Sequence, residues 1–188
     1  MIIADKLKDS NRAEYLLYMW QVEDLIRAYK CDSERIANEY ISRFDLTSEQ
    51  RAKTIEWYSN LCEMMRSEGK FEHGHLRICM NILQNLEELH LQLIHSPKFP
   101  YYREMYYKVL PYIVELRSKQ KKASDDVDSQ EDSELTTCFN LLYGVMLLKL
   151  QHHNISNETA LAVKDISTLV GQLSDYYLKD KAEPIDFE

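Results

Sequence analysis

Glycine and proline are scarce, with four of each in 188 residues. That excludes the turn-dense pattern of a sandwich or barrel and leaves an all-α chain of long helices as the expected class. No apolar run approaches the roughly 20 residues that cross a bilayer, so no membrane span is expected. Basic residues are outnumbered, and the formal net charge of −8 argues against nucleic acid or anionic lipid as partners, since both need a basic face. Cys31, Cys62, Cys79 and Cys138 are far apart, with neither C-x-x-C nor zinc-finger spacing, and read as small apolar packers. The opening MIIADKLKDSNRAEY has charges within its first six residues and no apolar core of a secretory leader. A reducing cytoplasm is therefore the expected setting. Phosphate loops, G-x-S-x-G, H-E-x-x-H and Cys/His nucleophile arrangements are missing from the sequence.

Against these absences stands one long apolar stretch, LTTCFNLLYGVMLLKL, from Leu135 to Leu150. Between Phe139 and Leu150 only Asn140, Gly144 and Lys149 interrupt it, which leaves no polar stripe for solvent. The expectation is a central helix over about 135–151, buried on most sides, with Gly144 as a close-packing point. Around it the periodicity predicts a bundle of about six to seven helices. A first helix covers about Asn11 to Tyr29, with Asn11 or Ser10 as its N-cap and Tyr15, Met19, Val22, Ile26 and Tyr29 inward. A short one runs from an Asp32 cap to about Phe44, and a third starts at a Thr47/Gln50 capping box and stops near Gly69. The fourth, about His73 to Ile94, is sharply two-sided, with Cys79, Leu83, Leu86, His90 and Leu93 on its apolar side. A fifth follows Pro100 and carries Pro111, where a kink is expected. The last begins at a Ser156 cap. One domain is expected over 1–180, with a disordered acidic linker at about 123–133 and a tail, 181–188, that is mobile unless docked.

Two sets of residues are candidates for binding. Trp20, Glu23 and Arg27 share a shoulder of the first helix. Glu23 and Arg27 have the i, i+4 order of a helix ion pair, so the group is either a solvated shoulder or a polar pocket with Trp20 as its wall. Glu87 and His90 form a Glu-x-x-His pair, the spacing that aims both side chains into the core of di-iron carboxylate bundles. That architecture needs a second copy, which is missing, so His90 hydrogen-bonded to Glu87 is the competing reading. His73 and His75 read as surface residues, and His152 and His153 as a helix C-terminal cap. The tyrosines crowding 101–112 suit an interface or a core edge. No cofactor is implied.

The opening helix, especially YMWQVEDLIRAY, resembles the start of an uncharacterised family of short, all-helical bacterial proteins described as a domain of unknown function. The resemblance spans nearly the whole chain. It implies a cytoplasmic helical protein and assigns no catalytic residue. The functional expectation is a non-enzymatic helical bundle acting through protein contacts, as a possible homodimer. A ligand- or metal-binding bundle is the alternative. A helix-turn-helix regulator ranks last, because Asp32, Glu34, Glu39, Asp45 and Glu49 stand where phosphate contacts are needed.

Overall fold

The computed structural model describes residues 2–123 and 132–188, and these are all-helical, with eight α-helices. Most of the acidic stretch expected at 123–133 lies outside them. The helices are α1 (Ile2–Ser10), α2 (Arg12–Ala28), α3 (Ser33–Arg35), α4 (Ser48–Ser67), α5 (Arg77–His95), α6 (Pro100–Ala123), α7 (Glu134–Leu150) and α8 (Asn157–Ala182). Between α3 and α4 a π-helical turn, Ile36–Tyr40, passes into a 3-10 turn, Ile41–Arg43. The contacts divide the chain into two compact units, residues 1–84 and 85–188, with the boundary inside α5.

In the first unit the caps follow the side chains. Asn11 accepts from the Glu14 N–H to start α2, and Asp32 accepts from the N–H groups of Glu34 and Arg35. Thr47 and Gln50 form the full reciprocal capping box of α4. Gly69, at φ +66°, ends α4 in a Schellman motif, its N–H donating to Arg66 O and that of Lys70 to Met65 O. α2 ends the same way at Lys30 (φ +56°), and there the Arg66 guanidinium donates to Cys31 O at 2.6 Å. Helix α1, for which the sequence pattern gave no expectation, seats Ala4 in the core.

The buried side of α2 is rotated from the expected stripe. Tyr15 and Tyr29 are half-buried, whereas Leu16, Trp20 and Glu23 are inside together with Met19, Val22 and Ile26. Of the shoulder read from the sequence, Trp20 and Glu23 belong to the core and Arg27 lies at its edge.

In the second unit α6 packs against both α7 and α8, and α7 against α8. Tyr102, Val109 and Ile113 of α6 meet a core completed by Ile166, Leu169 and Leu173 of α8. Pro111 lies within α6 on its exposed side. Helix α7 corrects the expectation of burial on most sides. Leu135, Cys138, Phe139, Leu142 and Val145 are buried, but Leu148 is 41% and Leu150 65% exposed. A Cβ added at Gly144 would meet nothing within 4 Å, so this glycine is not a close-packing point. α7 therefore inserts its first three turns and presents its last turn to solvent. The tail is docked: the Ser96 hydroxyl donates to Phe187 O at 2.8 Å, and Lys98 pairs with Asp186.

Candidate functional site

Residues 69–76 carry the chain from α4 back over α2, and Glu23 is where they attach. Its side chain is completely buried. Burial of a carboxyl group is costly unless each oxygen finds a donor. Here Oε1 accepts from the Leu76 N–H at 2.9 Å, while Oε2 lies 2.7 Å from His75 Nδ1 and 3.8 Å from Arg27 Nη2. Arg27 fastens the same loop from its other side, donating from Nε to Lys70 O at 3.2 Å and from Nη2 to Gly74 O. Its remaining arm reaches Asp24 Oδ1 at 2.7 Å. Gly74, at φ +79°, supplies the left-handed turn that presents this carbonyl.

The His75 imidazole lies flat on Trp20, with ring centroids 4.1 Å apart and planes at 15°. The Nδ1 side of the ring faces Glu23 Oε2, the arrangement found where a carboxylate orients a histidine in acid–base and metal sites. Cys79, fully buried, also approaches Glu23. Its thiol is pushed well above the ordinary range by burial, reinforced by the charge of Glu23 and a hydrogen bond to it. It is therefore held neutral and is no nucleophile. Among the described residues no three His, Cys, Asp or Glu side chains converge in a way that could hold a metal ion. The structure thus brings Trp20, Glu23 and Arg27 together and adds His75, which the sequence pattern placed on the surface. No local periodicity signals that addition, because it comes from a loop 52 residues away.

Glu87 and His90 are not brought together. Glu87 accepts from the hydroxyls of Ser133 and Thr136, and so braces the Ser133 cap at the start of α7. His90, 5% exposed, shares a 2.7 Å hydrogen bond through Nδ1 with the Tyr102 hydroxyl and meets Tyr102 and Tyr106 edge-on. Tyr106 in turn donates to Glu134 Oε2 at 2.8 Å. Burial pushes the His90 pKa down to about 4, outweighing the opposite pull of Glu134. The unfolded chain then binds a proton here between about pH 6.5 and pH 4 while the folded chain does not, so stability rises with pH across that window. The full loss on acidification is about 3 kcal/mol, present in part at pH 5 and complete below pH 4. Denaturant titrations at a series of pH values should show this slope, and His90→Gln should flatten it. An unchanged slope in that variant would mean that His90 is protonated in the folded protein.

No curated protein and no solved structure matches this chain. No helix among the described residues is long and apolar enough to cross a membrane. A family model described as Domain of unknown function (DUF4924) matches residues 1–184, and with nearly its whole length covered the chain belongs to that family.

Proposed function

We propose that this is a non-enzymatic helical protein that works through protein–protein contact, with a second copy of the chain as its partner. The carrying observation is the open end of α7. Leu141, Gly144, Val145, Leu147 and Leu148 line an apolar groove that continues to Thr159 at the start of α8. Leu150 and, on α8, Leu161 are 65% and 58% exposed. Apolar surface that is continuous, rather than scattered, marks contact sites in soluble proteins. From Leu135 to Leu148 the helix carries no charged side chain, so two copies of α7 can face each other without burying like charges. The chain's net charge of −8 opposes self-association over most of its surface, which makes a charge-free face the favoured one. Open space over Gly144 admits a partner side chain or backbone. In the first unit Glu23 and Arg27 direct their hydrogen bonds to the chain's own loop, which favours an internal fastening over ligand capture.

Sedimentation velocity across the micromolar range tests this reading. The wild-type chain is expected to pass from monomer to dimer. Leu148→Glu combined with Leu150→Glu should remain monomeric while keeping its helical circular dichroism. A wild-type chain that stays monomeric throughout, or a dimer indifferent to the two substitutions, would overturn the proposal.

A further inference from the structure

We propose that the turn between α5 and α6 is a docking site for a short extended segment carrying an acidic residue followed by phenylalanine, offered by a partner protein, and that residues 185–188 fill it as an internal competitor. The site is separate from the α7 face and stands whether or not the chain dimerises. Its framework is built by the turn itself. The Ser96 N–H donates to Gln92 O, the Ser96 hydroxyl accepts from the Lys98 N–H at 3.2 Å, and Phe99 packs edge-on against Tyr176 of α8, which packs against Tyr102. None of these contacts involves the tail, so the framework remains when the tail leaves.

Three features of that framework each engage a different part of residues 186–187. The Ser96 hydroxyl, on a residue only 4% exposed, donates to the Phe187 carbonyl. The Lys98 ammonium holds Asp186 Oδ2 at 2.6 Å. The Phe99 ring meets the Phe187 ring at 5.7 Å. A main-chain hydrogen bond combined with side-chain subsites is how extended peptides are recognised generally: the first supplies register and the second selects sequence. The occupant is held lightly, because the ion pair is exposed and Phe187 is only half-buried. A hydrogen bond from the Ile185 N–H to Asp180 Oδ1 links it back to α8. Such a tail keeps its place by proximity, through an effective concentration in the millimolar range, and a partner segment of better fit displaces it.

The test uses the full chain and a fluorescent peptide copying residues 180–188, with a scrambled peptide as control. In a tail-open variant, Asp186→Ala with Phe187→Ala, the peptide should bind about fivefold more tightly than to wild type, because internal competition is gone. Lys98→Glu placed in that variant should weaken binding severalfold, because it sets a like charge against the acidic residue of the peptide. As a second readout, a fluorinated Phe187 in the otherwise wild-type chain should change its 19F signal as excess peptide displaces it, and the scrambled peptide should leave the signal unchanged. No binding to the tail-open variant at about 1 mM peptide, equal binding of the scrambled sequence, or indifference to Lys98→Glu would each overturn the proposal.

Discussion

Glu23→Ala is expected to destabilise the protein by at least about 3 kcal/mol, the range seen when one partner of a buried charged network is removed. The substitution leaves the Leu76 N–H without its acceptor, takes the carboxyl from His75 Nδ1, and deprives Arg27 of the nearest buried carboxyl group. Each buried donor left without a partner costs about 1–3 kcal/mol, and a cavity forms between Trp20 and Cys79 as well. Glu23→Gln should cost less, since an amide oxygen can still accept from Leu76. Asp24→Ala, at a largely exposed carboxylate pairing with the same arginine, should stay within about 1 kcal/mol. Urea unfolding followed by far-ultraviolet circular dichroism separates the three. A loss below about 1 kcal/mol for Glu23→Ala would mean that water reaches this carboxyl group and that the loop is held by Arg27 alone.

The result bears on function because the same side chains were legible as a group in the sequence and yet misplaced on the helix. Trp20, Glu23 and Arg27 share a side of α2 by spacing alone, and that part of the reading came from helical geometry. What spacing could not supply was which side faces inward. A glutamate beside an apolar stripe reads as solvated, because isolated carboxyl groups avoid the interior. The side becomes internal only when residues 69–76 return with a backbone N–H and an imidazole to satisfy it. His90 teaches the same lesson in reverse. Its burial followed from the two-sided pattern of α5, but its partner was expected to be Glu87, one turn away, and is Tyr102 on the next helix. Glu87 turns instead to the hydroxyls at the start of α7.

Where the determinants are local, the sequence reading is close to the structure. The caps at Asn11, Asp32, Thr47 and Ser156 depend on side chains within three residues of the groups they satisfy, and all four form. Gly69 provides the left-handed turn its residue type suggests. The apolar side of α5 is buried at Cys79, Leu83, Leu86, His90 and Leu93, and the polar residues opposite are exposed. Helix α1 was missed because nine residues with one buried alanine carry too little periodicity to register.

Helix α7 is the sharpest case, and its two ends should respond very differently to truncation. Phe139→Ala is expected to cost about 3–5 kcal/mol, since the ring is fully buried in the second unit and its removal adds a cavity to the lost transfer energy. Leu142→Ala, at 9% exposure, should cost about 2 kcal/mol or more. Leu148→Ala should stay within about 1 kcal/mol, because a side chain 41% exposed leaves little cavity and loses little burial. An apolar composition alone predicts the same large penalty at all three positions, so the series distinguishes a helix enclosed along its length from one enclosed over its first turns. Association stabilises the folded state by mass action, so the denaturation must be run at concentrations where the chain is monomeric. Repeating it in the dimer range gives the second half of the argument. Leu148→Ala should then become costly while the penalty at Phe139 stays the same, because only Leu148 belongs to the face that a second copy covers. A large penalty at Leu148 in the dilute monomer would instead mean that this turn of α7 is packed within the chain and is closed to any partner.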